Sequence, residues 1–336
     1  MIASFIIPAY NASKYIVRCL DSIYSLSYPT EDYEVIVIDD CSTDNTIEIV
    51  QECQNLHGNL ILLTQPYNNR QGAARNRGVA IAKGQYVVFV DSDDIIVPTG
   101  IESALSIANC EKLDMCCMNY AKVDQQGAYS YAKVISFEGD GLFSGVQLQT
   151  KYPYWAAAPW AYVYNAQFLR QTNRPFEEGV LFEDSDFVQV HLHQAKKMNY
   201  SSELAYLALY NETSTTRKIS YQRLADYVLL GTRMLDFYNS INDQSAYGKS
   251  IEEGGLYNIG IALKRLPKLN SSHEVSDFYN RIDSKIMRNE YICYKYPDYL
   301  PLWWIQFALR HSVLTKTLLS IYIPIRAFVK RIKNAL

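Results

Sequence analysis

The stretch Val88-Phe89-Val90-Asp91-Ser92-Asp93-Asp94-Ile95-Ile96-Val97-Pro98 places three carboxylates within four residues, directly after an apolar run. Like charges this close repel, and the end of a buried strand is a costly place to leave them unpaired. A solvated turn, a metal ion or a covalent phosphate would each resolve the conflict. The preceding Val87–Val90 reads as an interior strand, so the turn belongs at a sheet edge. One-residue spacing of hard oxygen donors suits Mg²⁺ or Mn²⁺.

Upstream, strand and helix patterns alternate. Ser4–Pro8, Glu34–Asp39, Leu60–Thr64 and Tyr86–Val90 are short apolar runs that read as buried strands. Lys14–Ser25 and Gly72–Lys83 have helical spacing, with Ser13 a cap candidate for the first and Gly84 a stop for the second; Asp44 or Thr46 can cap a helix between them. These units predict an open, mainly parallel sheet covered by helices on both faces. Ligands in such sheets bind beyond the carboxyl ends of the strands. Pro8-Ala9-Tyr10-Asn11, Asp39-Asp40 and Asp91-Ser92-Asp93 all fall there. Met115–Asp124 and Tyr129–Phe137 read as a hairpin. From about Tyr221 the pattern is helical, over Gln222–Tyr238 and Tyr257–Leu266, with polar breaks near Ser245–Gly255 and Lys268–His273. The predicted regions are 1–215, 216–300 and 301–336.

Composition narrows the function classes. The chain has 336 residues, 49% of them hydrophobic and 20% charged, enough for a substantial core. A net charge of −3 gives no overall pull toward nucleic acid. The seven cysteines are odd in number and form no C-x-x-C pair, which disfavours a disulfide framework or zinc site and favours a reducing cytoplasm. No signal peptide pattern and no long uncharged apolar run is visible. The last 36 residues differ from the rest: Arg310, Lys316, Arg326, Lys330, Arg331 and Lys333 stand among Trp, Phe, Leu and Ile without a single acid. That composition suits a helix lying on an anionic membrane surface, or one packed on protein. A homo-oligomer stays open.

Other motifs carry two readings each. Asp39, Asp40 and Asp44 can end a strand and cap a helix, or can accept hydrogen bonds from a base or ribose. Gly72-Ala73-Ala74-Arg75-Asn76-Arg77-Gly78 can be an ordinary helix, or a helix start whose small residues admit a ligand while Arg75 or Arg77 forks onto phosphate. Glu183-Asp184 can cap a helix, or supply a general base beside an acceptor hydroxyl. Trp155 and Trp160 can be core residues or line a sugar site. The usual dinucleotide, P-loop, nucleophile-elbow and zinc-protease motifs are absent. His191 and His193 read as structural.

Together, SFIIPAYNASKYIVRCLDSI, YEVIVIDDCSTDNT, GAARNRGVAIAKGQYVVFVDSDD and GVLFEDSDF resemble the family 2 glycosyltransferases of the GT-A fold over Ser4 to Phe187. The resemblance implies a Rossmann-like nucleotide-sugar-binding domain, with a mainly parallel mixed sheet, followed by a helical C-terminal region. It implies a UDP-sugar donor, a divalent metal (Mn²⁺ or Mg²⁺) and inversion at the anomeric carbon. The acceptor would be a saccharide or lipid-linked saccharide of a bacterial surface polysaccharide, met by a cytoplasmic enzyme peripheral on the inner face of the membrane. By position, Pro8, Ala9 and Tyr10 would hold the nucleotide, with Asn11 beside them. Asp40 would face the uracil, with Asp39 as its neighbour. Arg75 would lie near the uracil and diphosphate, Asp91 near the ribose with Ser92 a further donor-binding residue, Asp93 on the metal, and Asp94 as an auxiliary. Asp184 would be the catalytic base, preceded by Glu183. Many members have Gly where this chain has Cys41; if that position needs a positive φ, Cys would be strained. A basic residue of a loop closing over the diphosphate would be Arg217 or Lys218. A haloacid-dehalogenase-type phosphatase or phosphotransferase shares the D-x-D after a strand, but the order of acidic motifs disagrees with it. A non-catalytic sugar-nucleotide binder is the remaining alternative.

Overall fold

A computed structural model describes residues 1–133, 141–152, 157–211 and 220–265. The chain divides into two compact units, Met1–Thr213 and Ser214–Leu336.

The first unit is built on a nine-stranded sheet. In chain order it comprises β1 (Ala3–Ala9), α1 (Ile16–Tyr24), β2 (Tyr33–Asp39), α2 (Thr46–Leu56), β3 (Leu60–Thr64), α3 (Arg70–Ile81), β4 (Tyr86–Phe89), β5 (Ile95–Ile96), α4 (Pro98–Glu111), β6 (Met115–Val123), β7 (Tyr129–Lys133), α5 (Gly145–Lys151), β8 (Tyr162–Asn165), α6 (Ala166–Thr172), α7 (Glu183–Gln194) and β9 (Met198–Leu209). The strand order is β3-β2-β1-β4-β8-β6-β9-β5, with β7 paired to β6. β3, β2, β1 and β4 are parallel, while β8 runs antiparallel to both β4 and β6. The sheet is therefore parallel on one side and mixed on the other. The sequence reading assigned no strand at β8 or β9. Of the expected hairpin, the described part (β6 with β7 to Lys133) pairs antiparallel as expected; residues 134–137 lie outside the described residues.

All seven residues of β1 and of β2 are buried, as the unbroken apolar runs require of strands covered on both faces. The polar members of these runs are paired: the Ser4 hydroxyl donates to Glu34 Oε1 at 2.6 Å, and the Lys83 N–H donates to the same oxygen at 2.6 Å. Beyond the strands, the β1 and β2 loops are knitted together. The Asn11 N–H donates to Ser42 Oγ, Asn11 Oδ1 accepts from the Thr43 N–H, Thr46 Oγ1 accepts from the Ala12 N–H, and Asp44 Oδ2 accepts from the Ser13 N–H. Ser13 does not cap α1, which starts after Tyr15 without a side-chain cap; α2 starts after Asn45, and Asp44 Oδ1 accepts from the N–H of its first residue, Thr46, at 3.1 Å. The polar side chains hold loop to loop instead, which steadies the carboxyl edge of the sheet.

In the second unit, α8 (Tyr221–Ile241) and α9 (Ala246–Arg265) form a helix pair. Apart from Ser245, the expected polar break at Ser245–Gly255 is inside α9. Its glycines make room: a Cβ on Gly255 would come within 2.8 Å of the Gly231 carbonyl oxygen, and one on Gly231 within 2.6 Å of that of Gly255. Gly255, at the end of the expected break, thus serves close approach to Gly231 of α8 instead of ending a helix. Among the described residues, no helix is long and apolar enough to cross a membrane. Residues 301–336 lie outside the described residues.

Candidate active site

The opening acidic turn follows β4 at the carboxyl edge of the sheet. It is closed by the Asp94 N–H donating to the Asp91 carbonyl at 3.0 Å. Its three acids are held differently. Asp91 Oδ1 receives Arg75 Nη2 at 2.8 Å. Asp93 Oδ2 receives Asn211 Nδ2 at 2.8 Å, and Arg18 Nη2 donates to the Asp93 carbonyl at 2.6 Å. Asp94 is buried; its Oδ2 accepts from the Tyr206 hydroxyl and its Oδ1 from the Leu209 N–H, both at 2.7 Å. Burial first, and Asp91 second, push the pKa of Asp93 up and that of Asp94 well above the carboxylate range. Ser92 is half-buried in the turn.

A second acidic cluster lies at the start of α7. Glu183 is fully buried and its Oε1 receives Arg75 Nη1 at 2.6 Å. The Arg75 guanidinium, 1% exposed and 5.3 Å from the centre of the Phe176 ring, therefore bridges the turn after β4 and the N-terminus of α7. Burial works against its charge, but Asp91 and Glu183 outweigh burial and hold its pKa above the ordinary range. Burial, then the adjacent Asp184, push Glu183 up to about 8. Burial also raises Asp184, against the pull of Arg75.

The base-binding end was expected at β1 and β2. Pro8 and Ala9 are strand residues paired with Ile38 and Asp39, and Tyr10 follows, 46% exposed. Asp39 is wholly buried, with its Oδ2 receiving the Ser42 N–H at 2.9 Å. Asp40 Oδ1 receives both Gln65 Nε2 and the Asn69 N–H at 2.7 Å, and burial raises its pKa. The two neighbours thus divide: Asp39 is tied into the turn of its own loop, and Asp40 is supported from the loop after β3.

Four residues other than glycine with positive φ mark the segments just described: Asn11 (50°), Cys41 (64°), Arg70 (65°) and Phe182 (69°). The Cys41 position does take the left-handed conformation that its non-glycine side chain disfavours.

Several expectations need correction. Arg75 does not stand as an open phosphate clamp, because both terminal nitrogens are committed to carboxylates inside the protein. Gly72 does not admit a ligand: a Cβ there would meet the Glu177 carbonyl oxygen at 2.5 Å, so its space is taken by the 176–179 segment. That segment covers the start of α3, with Arg70 Nε donating to the Gly179 carbonyl and the Gly179 N–H to the Asn69 carbonyl. Arg77 donates to the Thr64 carbonyl. Trp160 is a core residue, 9% exposed and stacked on Tyr206 at 4.5 Å and 2°. Arg217, Lys218 and Trp155 lie outside the described residues. Sequence reasoning missed Tyr206, Asn211, Arg18, Gln65 and Asn69. All are ordinary polar residues in strands, helices or loops, and no local spacing ties them to the acids they contact.

Residues 4–161 match the family model described as Glycosyl transferase family 2. The chain is 29% identical over 220 residues to a poly(ribitol-phosphate) beta-glucosyltransferase of Bacillus spizizenii, a match covering 65% of this chain and 34% of that protein. The chain thus aligns with about a third of that relative's length. In structure it is similar to Staphylococcus aureus TarS 1–349 in complex with UDP-GlcNAc, with a TM-score of 0.60 and 22% identity over 85% of this chain and 83% of that one. It is also similar to the mannosyltransferase PcManGT of Pyrobaculum calidifontis in complex with GDP-Man and Mn²⁺, with a TM-score of 0.52 and 16% identity over 98% and 86%. The architecture is that of the GT-A glycosyltransferases, a mixed α/β sheet with C-terminal helices. The match over residues 4–161 coincides with the motifs that led to the expected resemblance.

Proposed function

We propose that the chain is an inverting glycosyltransferase that moves a sugar from a UDP donor to a saccharide or lipid-linked saccharide acceptor in cell-surface polysaccharide assembly. One observation carries the reading. Through Arg75, the turn after β4 and the start of α7 are held side by side, so a donor-holding group and a hydroxyl-activating group share one site.

Asp40 accepts a hydrogen bond from the base. One oxygen of Asp91 is tied to Arg75, which leaves the other for a ribose hydroxyl. Asp184 takes the proton of an acceptor hydroxyl as its oxygen bonds to the anomeric carbon. The bond from that carbon to the diphosphate breaks on the opposite face, which gives inversion. A carboxylate with a raised pKa is the stronger base once ionised. Positioning of the two reactants supplies a large share of the acceleration.

The residues fit a divalent cation. Asp91 and Glu183 pair with one buried guanidinium, Asp184 also acts on its charge, and Asp93 and Asp94 share the turn of Asp91, so carboxyl groups with hard oxygens outnumber that cation. Among the described residues no three acidic, His or Cys groups form a ready-made cage, which accords with a metal completed by substrate phosphates and water. Asp93 would hold it. Bound Mn²⁺ or Mg²⁺ supplies charge neutralisation for the departing diphosphate.

The test is a screen of UDP-sugars against saccharide acceptors with Mn²⁺, reading UDP release and the anomeric configuration of the product by NMR. Tight UDP binding without transfer to any acceptor would leave a sugar-nucleotide binder instead. We also propose that residues 301–336 hold the enzyme on the inner membrane face. Loss of flotation with anionic vesicles on truncation before Pro301 is expected, and equal flotation would remove the idea.

A further inference from the structure

We propose that Tyr206, acting through Asp94, is a positioning residue that sets the Asp91–Asp93 turn for its cation and diphosphate. The inference rests on the glycosyltransferase reading of the same site. The Tyr206 hydroxyl has one hydrogen, which it donates to Asp94 Oδ2 at 2.7 Å, and it accepts the Asp91 N–H at 3.1 Å. One oxygen atom thus links the first and last acids of the turn. The other oxygen of Asp94 receives the Leu209 N–H. With both oxygens engaged inside the protein, Asp94 is an anchor and not a ligand.

The anchor is rigid. Tyr206 is fully buried, its ring stacks on Trp160, and its backbone pairs with Ile96 where β5 meets β9. Two residues beyond Leu209, Asn211 donates to Asp93. The end of β9 therefore holds Asp91 by its backbone and Asp93 and Asp94 by their side chains. All these donors are neutral. They direct the carboxylates without cancelling their charge, which leaves the charge of Asp93 for a cation. Unheld, three acids in four residues would splay apart.

Tyr206→Phe keeps the ring and the Trp160 stack and removes only the linking oxygen. Three measurements test it: Mn²⁺ affinity by electron paramagnetic resonance titration of free Mn²⁺, UDP affinity without metal, and kcat and KM across Mn²⁺ concentrations. The expected result is Mn²⁺ affinity lowered ~10-fold, as for other groups that orient metal ligands. Metal-free UDP binding should be unchanged and turnover largely restored at high Mn²⁺. Asp94→Asn, read in the same way, should show the same pattern and serves if Tyr206→Phe fails to fold. Unchanged Mn²⁺ affinity in a folded variant, with wild type binding Mn²⁺ normally, overturns the inference alone. Absence of both UDP and Mn²⁺ binding in wild type overturns the functional reading and this inference with it.

Discussion

The two acidic clusters meet at Arg75 but are built in opposite ways. The turn after β4 is partly exposed and is held by neutral donors from Tyr206, Asn211 and the β9 backbone. The start of α7 puts Glu183 in full burial against a single cation. In the first arrangement Asp91 shares Arg75, while the carboxylates of Asp93 and Asp94 are oriented by neutral donors; the second sets a fully buried acid directly against the guanidinium and fixes its place. A site that must accept a dication on one side and place a base on the other needs both.

The comparison is tested most severely by Asp184→Asn. If the α7 cluster supplies the base, turnover should fall about 10²–10⁴-fold while UDP binding is retained. Turnover within a few-fold of wild type would move the base elsewhere. Next comes Arg75→Met, which removes the element common to both clusters. Glu183 would be left buried without its partner, and breaking such a pair costs about 3–5 kcal/mol. Denaturant unfolding should show that loss, and a loss below ~1 kcal/mol would mean that the clusters do not depend on the guanidinium. Asp93→Asn should act on the other side. Its expected effect is ~10²–10³-fold on turnover with the Mn²⁺ response abolished and the melting temperature nearly kept, because among the described residues the Asp93 carboxylate is met by a neutral amide rather than a salt bridge.

How much of this was legible differed between the same regions. β1, β2 and β4 were readable because fully buried parallel strands leave unbroken apolar runs such as Phe5–Ile7 and Val35–Ile38, and β3, half-buried at the sheet edge, keeps the apolar run Leu60–Leu63. The acids at their ends stood out for the same reason. β8 and β9 were not assigned, since Tyr162–Asn165 mixes polar and aromatic residues and β9 carries Ser201, Ser202 and Glu203 in mid-strand. The partners they supply, Tyr206 and Asn211, were hidden with them. Arg75 was visible as a cation near the site, but its commitment to Glu183 depends on a contact across 108 positions that no local pattern encodes. Gly72 and Gly255 were misread for a related reason. A glycine looks alike in sequence whether it admits a ligand, breaks a helix or makes room for a neighbouring backbone.

The finest test concerns the sign of the pH dependence at Glu183. Its pKa rises from 4.5 to about 8 because burial, and then Asp184, penalise the charged form more than Arg75 favours it. Between those values the folded state binds a proton that the unfolded chain releases. Stability then falls as pH rises through that window. Glu183→Gln removes this titration and should flatten the decline in melting temperature between pH 5 and 8, an effect on the order of 3–4 kcal/mol. A residual slope from Asp184 should remain, since its pKa is raised as well. The opposite result, a variant that loses stability most at pH 8, would mean that Glu183 is ionised against Arg75 throughout. The α7 cluster would then be a fully compensated ion pair, and its contrast with Asp93 and Asp94, which meet neutral donors, would be sharper still.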